Sequence, residues 1–192
     1  MVCVVINMRY TAMAKSVNKK RIGILGGSFN PIHHGHLLMA ELARQKMDLT
    51  QVIFMPAHCS PFKSKVKLAS AKDRLRMVEL AIMDNHFFSV SDLEIKRKGI
   101  SYTIDTLREI RALCPNAELF WIVGHDHVPG LKSWKYFDEI IKIASFIAVS
   151  REWFNVSSSE IRQAAAKARS IRYLTPDPVV HYIETHRLFQ IK

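Results

Sequence analysis

Short apolar runs alternate with amphipathic stretches along the chain from residue 21 onward. Five apolar runs predict β-strands, which cover residues 21–27, 51–56, 87–95, 118–123 and 145–149. Apolar residues at helical spacing predict helices over residues 35–47, 71–83, 103–113, 137–143, 158–168 and 177–185. Strands that alternate with helices of about 10–15 residues are typical of βαβ units, so a mainly parallel sheet is expected.

The last predicted strand is expected to end the sheet. Only a few residues separate it from the next helix, whereas a parallel crossover needs about 10–12. The predicted fold is therefore α/β and Rossmann-like, with a mainly parallel five-stranded sheet, helices on both faces and a C-terminal helical end. Ligands bind such sheets at the carboxyl ends of the strands, so chemistry is expected just after residues 27, 56, 95, 123 and 149.

Residues 1–20 show no sustained period, and they contain Met1, Met8 and Met13. We expect an N-terminal extension that is disordered or that precedes a later translation start. Residues 21–192 are expected to form a single domain, since 48% hydrophobic and 23% charged residues make an ordinary globular composition. No signal-peptide core, membrane span or CxxC pair is recognisable, which favours a cytoplasmic protein without a membrane partner.

The formal net charge of +11 is compatible with a nucleic-acid surface, an anionic-lipid surface or a site for small polyanions. The basic clusters at residues 15–21, 63–67 and 96–98 lack the interleaved aromatic residues of a single-strand binder. Most of the charge is therefore interpreted as solvated surface, and no nucleic-acid partner is expected. A non-catalytic nucleic-acid binder, recognisable by steeply salt-dependent binding, stays as the alternative from another class.

The segment GGSFNPIHHGH directly follows the first predicted strand. Exposed backbone amides at such a turn form an anion-binding concavity, here at Gly26, Gly27, Ser28 and Phe29. His33 and His36 lie three residues apart at a helix start, so their rings face the same way and can donate to phosphate oxygens. Gly35 would let a ligand lie against the backbone. A zinc site through both histidines is the alternative, although HExxH is absent.

This segment resembles the HxGH signature of the nucleotidylyltransferase superfamily, and its wording is similar to that of bacterial nicotinate-nucleotide adenylyltransferases. Further similar motifs follow in the family's order: SYTIDTL at residues 101–107, WIVGHD at 121–126, VSSSEIR at 156–162 and YLTP at 173–176. Some positions depart from the family pattern. Phe62 replaces the usual His, Asn30 a common Asp and Ser159 a Thr, and the stretch after Arg151 is shorter than usual.

The resemblance implies transfer of AMP from ATP to nicotinate mononucleotide, giving deamido-NAD and pyrophosphate. Mg²⁺ would be bound through the ATP phosphates, without a dedicated protein metal site. Catalytic roles fall on His33, His36 and Arg162. ATP binding falls on Gly26, Gly27, Ser28, Phe29, Gly35, Gly124, Asp126, Ser158 and Ser159, and acceptor binding on Lys63, Thr103 and Trp134.

Alternatives to these roles stay open at this point. Trp134 could be a core residue, Asp126 a plain loop residue, and the serines of the 156–162 motif a helix cap. Nicotinamide mononucleotide and phosphopantetheine are alternative acceptors for the same chemistry, and a homo-oligomer is compatible with the sequence.

Overall fold

The computed structural model describes residues 3–6, 19–61, 68–150 and 156–190, with the backbone alone for residues 3–6. Its strands are β1 (Cys3–Ile6), β2 (Arg21–Gly27), β3 (Gln51–Pro56), β4 (Phe88–Val90), β5 (Glu118–Gly124) and β6 (Ala144–Val149). Its α-helices are α1 (His34–Lys46), α2 (Ala71–Ile82), α3 (Leu93–Arg97), α4 (Thr103–Leu113), α5 (Phe137–Ile143), α6 (Ser158–Ala166) and α7 (Asp177–Thr185). A 3₁₀ helix covers His125–Ser133.

All strands form one sheet in the order β1-β6-β5-β2-β3-β4. The five predicted strands are present and run parallel, which confirms the Rossmann-like fold class. After β2, the chain adds β3 and then β4 on one side of β2. It then returns and adds β5 and β6 on the other side of β2. The strand order therefore reverses between β2 and β5, and ligands bind sheets of this kind in the crevice at that point.

The structure adds a sixth, antiparallel strand at residues 3–6, which the sequence analysis did not predict. Residues Cys3–Ile6 pair with β6, with Cys3 opposite Val149 and Ile6 opposite Phe146. The run is rich in β-branched valine and isoleucine, which favours a strand, and it covers an edge of β6 that would otherwise be unpaired. Four residues are too few to show a period, so the sequence pattern missed it.

The third predicted strand, over residues 87–95, is also corrected. β4 ends at Val90, and α3 begins at Leu93. The Leu93 N–H donates to the Ser91 hydroxyl at 3.3 Å, and the Lys96 N–H donates to the Asp92 carbonyl at 2.8 Å. These local bonds turn the chain out of the extended conformation. The other predicted helices and strands agree with the observed bounds to within two residues.

Helices cover both faces of the sheet, as predicted. α1, α2, α6 and α7 pack over one face, where they contact Leu25, Phe54 and Ile122. α4, α5 and the 3₁₀ helix pack over the other face, against Ile24 and Trp121. Neighbouring residues of β2 thus enter different cores, because successive side chains of a strand point to opposite faces.

The described chain after β6 is helical, consisting of α6 and α7, and residues 156–190 add no strand to the sheet. This confirms the predicted C-terminal helical end. Within the described ranges, no helix combines the length and apolar character that crossing a bilayer requires. The assignment of residues 21–192 to a single domain stays a prediction.

Candidate active site

The segment of residues 26–36, called the signature segment below, leaves β2 at the switch point of the sheet. Leu25 pairs with Ile122, so Gly27 and the end of β5 at Gly124 lie at the same edge. A Cβ on Gly26 would lie 2.7 Å from Cζ2 of the buried Trp121 ring. Packing against Trp121 therefore requires glycine at position 26. This requirement is additional to the close approach of a ligand that the sequence suggested.

Phe29 gives the segment its shape. Its backbone adopts a positive φ of 45°, an uncommon conformation for a bulky residue, while its ring is buried and lies edge-on to His36 at 5.1 Å. Such a conformation persists when surrounding contacts fix it. The Asn30–Pro31 peptide that follows is cis.

Four carbonyl oxygens of the signature segment accept hydrogen bonds from side chains far away in sequence. Each donor–acceptor distance is 2.8 Å. The pairs are Arg74 Nη1 to Ser28 O, Arg162 Nη1 to Asn30 O, Ser158 Oγ to Pro31 O, and Thr175 Oγ1 to Ile32 O. The backbone of the segment is thus held from α2, from α6 and from the turn before α7.

His33 and His36 lie side by side at the start of α1, as the spacing predicts. Their rings stack with centroids 3.7 Å apart, and His33 is buried. The backbone N–H of His33 donates to His36 Nδ1 at 3.3 Å. With Nδ1 as an acceptor, a neutral His36 ring carries its proton on Nε2, which is then the donor of that side chain.

A metal between these two histidines would need at least one more ligand. Among the described residues, no group of three or more His, Cys, Asp or Glu side chains is arranged to hold a metal ion. The zinc alternative therefore finds no third ligand in that part of the chain.

The 156–162 motif combines a helix cap with contacts to the signature segment. Ser157 caps α6, since its Oγ accepts from Glu160 N at 3.2 Å while Glu160 Oε2 accepts from Ser157 N at 3.0 Å. Arg162 also donates to Ser159 Oγ at 3.1 Å, and burial lowers the pKa of its guanidinium. The cap interpretation is right for Ser157, and the structure brings Ser158, Ser159 and Arg162 together beside the signature segment.

The predicted acceptor residues occupy neighbouring elements on the other side of the sheet. Thr103 is the first residue of α4, and Trp134 follows the 3₁₀ helix. Trp134 is partly buried, with its ring edge-on to Phe146 at 5.8 Å, so it is in part a core residue. The Lys135 ammonium lies 4.2 Å from the Tyr102 ring centroid. The residue after Trp134 is therefore close to the residue before Thr103.

Of two further predicted residues, Asp126 is described by the structure and Lys63 is not. Asp126 is the second residue of the 3₁₀ helix, after His125, and its exposed carboxylate lies 3.8 Å from His127 Nε2. Lys63 and its neighbour Phe62 lie outside the described residues.

Two residues at the site escaped the sequence analysis, namely Arg74 and Thr175. Arg74 shares the inward face of α2 with Met77, Val78 and Ile82, so a charged residue at an apolar position was the available signal. Burial lowers the pKa of the Arg74 guanidinium. Thr175 lies in the YLTP motif, but nothing in the local pattern marks its hydroxyl as buried.

Comparison with known proteins assigns the chain to a family. Residues 24–164 match the family described as cytidylyltransferase-like. The chain therefore belongs to the cytidylyltransferase-like family of nucleotidyltransferases. Its curated relatives include a protein named probable nicotinate-nucleotide adenylyltransferase from Synechococcus sp. (strain JA-3-3Ab). It is 41% identical over 197 residues, covering 89% of this chain and 95% of the relative.

A relative of the same name from Methylacidiphilum infernorum (isolate V4) is 40% identical, covering 92% of this chain and 96% of its own length. Solved structures share the fold at lower identity. A candidate nicotinate-nucleotide adenylyltransferase from Vibrio parahaemolyticus has a TM-score of 0.76 at 22% identity, with 90% and 97% of the two chains covered. Plasmodium falciparum nicotinic acid mononucleotide adenylyltransferase, complexed with NaAD, has a TM-score of 0.71 at 20% identity, with 88% and 97% covered.

Proposed function

We propose that this protein transfers AMP from ATP to nicotinate mononucleotide, producing deamido-NAD and pyrophosphate. The observation that carries the proposal is the stacked pair His33 and His36 at the start of α1, at the switch point of a Rossmann-like sheet. The names of the curated relatives support the same reaction.

The reaction needs no nucleophilic side chain. A phosphate oxygen of the acceptor attacks the α-phosphorus of ATP, a new P–O bond forms, and the bond to pyrophosphate breaks as pyrophosphate leaves. Catalysis of such a transfer comes mainly from positioning and from stabilising negative charge on the phosphate oxygens. The proposed donors are His33, the Nε2–H of His36, and the amides of Gly26, Gly27, Ser28 and Phe29.

The β- and γ-phosphates would lie against the start of α6. A helix N-terminus attracts anions, and Ser158, Ser159 and the Arg162 guanidinium add polar groups there. Gly35, Gly124 and Asp126 would line the remainder of the nucleotide site. Mg²⁺ would enter bound to ATP phosphate oxygens, its usual mode with nucleotides, and would neutralise part of their charge.

The acceptor would lie between Thr103 and Trp134. The indole can stack on a flat pyridine ring, and the first amides of α4 can receive the pyridine carboxylate. Lys63 is proposed to hold the phosphate of the mononucleotide. These features favour a pyridine acceptor over phosphopantetheine.

An acceptor comparison tests the proposal. Purified protein is given ATP and Mg²⁺ with nicotinate mononucleotide, nicotinamide mononucleotide or phosphopantetheine, and released pyrophosphate is followed with time. We expect the highest kcat/KM with nicotinate mononucleotide. Faster turnover of either other acceptor would reassign the substrate, and no pyrophosphate with any of the three would overturn the proposed reaction.

A further inference from the structure

Arg74 is a charged side chain in the interior of the protein, on the inward face of α2. It is 1% exposed and is the largest of the fully buried side chains among the described residues. Its guanidinium donates to Ser28 O at 2.8 Å and Ala57 O at 2.6 Å, to His58 O at 3.3 Å, and through Nε to Ala69 O at 3.2 Å. One side chain therefore binds the carbonyls of three separate chain segments.

This arrangement is not what stability alone would favour. Within the described part of the chain, no carboxylate forms an ion pair with Arg74, so its charge is compensated by carbonyl dipoles. Burying a guanidinium without a carboxylate partner is costly in free energy, and its hydrogen bonds to carbonyls must offset that cost. The planar guanidinium fork offers what an apolar side chain cannot, namely several donors in one fixed geometry.

The segments that Arg74 joins belong to both halves of the site. On the ATP side it fixes the Ser28 carbonyl. Because C=O and N–H point in opposite directions across a peptide unit, this bond directs the Phe29 amide away from Arg74. The Phe29 amide is one of the groups proposed to bind phosphate, and it belongs to a residue with positive φ.

On the acceptor side, Arg74 binds the carbonyls of Ala57 and His58, directly after β3. This segment is hydrogen-bonded to the residues that precede α4. The His58 N–H donates to Ser101 Oγ at 3.0 Å, and the Ser101 N–H donates to the Cys59 carbonyl at 2.8 Å. Ser101 lies two residues before Thr103, the first residue of α4. The guanidinium thus connects the signature segment to the start of the acceptor helix through short hydrogen bonds.

We infer that Arg74 is a positioning residue for adenylyl transfer, which aligns the acceptor half of the site with the ATP half. The inference rests on the proposed function, because in-line attack at the α-phosphorus requires both substrates to be held in register. A residue of this kind affects the rate of transfer more than the binding of either substrate.

The test compares Arg74→Met and Arg74→Lys with the wild type, measuring kcat, both KM values and the Tm. In Arg74→Met we expect kcat to fall about 100-fold, the loss that a misplacement near 1 Å can cause. Both KM values should stay within about threefold, because the phosphate donors themselves are retained. Arg74→Lys keeps the charge but loses the planar fork, so its kcat should lie between that of the wild type and that of Arg74→Met.

Arg111→Met is a matched control. Arg111 also donates to three carbonyls, Pro115 O at 3.1 Å, Ala117 O at 2.6 Å and Ile143 O at 2.9 Å, but it does so near the amino end of β5. Its loss should leave kcat within about twofold, since it removes the same kind of bond away from the site.

The outcomes separate the inference from the proposed function. A folded Arg74→Met protein with kcat within threefold of the wild type would overturn the inference, as would equal kcat losses in the Arg74 and Arg111 variants. If Arg74→Met does not fold, Arg74→Lys decides: a kcat reduced at unchanged KM supports the inference, and a wild-type kcat overturns it. A wild-type protein that releases no pyrophosphate would instead overturn the proposed function.

Discussion

Gly35→Ala adds a single methyl group at the start of α1, beside the proposed catalytic histidines. The new Cβ would lie 3.0 Å from His33 Nδ1 and 3.1 Å from His33 Cε1. Ordinary contacts between carbon atoms are about 3.5–4.0 Å, so the imidazole must move by roughly half an ångström. His33 is buried and its ring stacks on His36 at 3.7 Å, so the displacement is transmitted to the second ring.

Gly35→Ala is expected to lower kcat, whereas its effects on stability partly cancel. A misplacement near 1 Å can cost about 100-fold in rate, so half of that predicts a fall in kcat of about tenfold, or roughly 1.4 kcal/mol of barrier. Alanine gains up to about 1 kcal/mol over glycine within a helix, while a tight contact costs about 1–3 kcal/mol. The two contributions oppose each other, which leaves a net loss of unfolding free energy between about 0 and 3 kcal/mol.

The assay is steady-state pyrophosphate release at saturating ATP and nicotinate mononucleotide, together with a thermal unfolding curve. Gly130→Ala is the control, because a Cβ at Gly130 meets nothing within 4 Å among the described atoms and the backbone there has no positive φ. The control should retain the wild-type kcat. A Gly35→Ala enzyme with kcat within twofold of the wild type would refute the role given to the His33 ring position.

Two further variants test how the signature segment and α4 are held. Thr175→Val removes the hydroxyl that donates to the buried Ile32 carbonyl at 2.8 Å, which should cost about 1–3 kcal/mol in unfolding free energy, while exposed Thr185→Val should not. An unchanged Tm in Thr175→Val would contradict this. Glu94 accepts a hydrogen bond from the hydroxyl of Thr106 in α4, and burial raises the pKa of the Glu94 carboxyl above its ordinary value. Folded protein therefore holds that proton more tightly than unfolded chain, and wild-type stability is lost as the pH rises through the folded pKa. Urea unfolding at pH 4 and pH 7 should show Glu94→Gln gaining stability relative to the wild type at the higher pH, and a pH-independent difference would count against it.

Local patterns were sufficient for most of the fold. α4 and α7 follow the predicted bounds because their apolar residues recur at helical spacing, and β2 and β3 are largely apolar runs. β1 escaped because its run is too short for a period, and β4 ends early because the Ser91 hydroxyl accepts a hydrogen bond from the Leu93 N–H.

The signature segment and the late serine motif could be found in the sequence because their residues are close together or arranged in a recognisable order. The residues that hold the signature segment in place, Arg74 and Thr175, could not be found in this way. Arg74 contacts a carbonyl 46 positions away, and Thr175 contacts one 143 positions away. Bonds of that span depend on how the elements pack, and no local period or motif encodes their partners.

A comparison of the wild type with His36→Ala tests the proposed adenylyl transfer and the role of His36 together. Both proteins are given ATP and Mg²⁺ with and without nicotinate mononucleotide, and pyrophosphate and the dinucleotide product are quantified together. We expect the wild type to release equal amounts of the two products, and only when the acceptor is present. We expect loss of both products in a His36→Ala protein that remains folded at the assay temperature. Undiminished product from His36→Ala, or none from the wild type, would contradict these expectations.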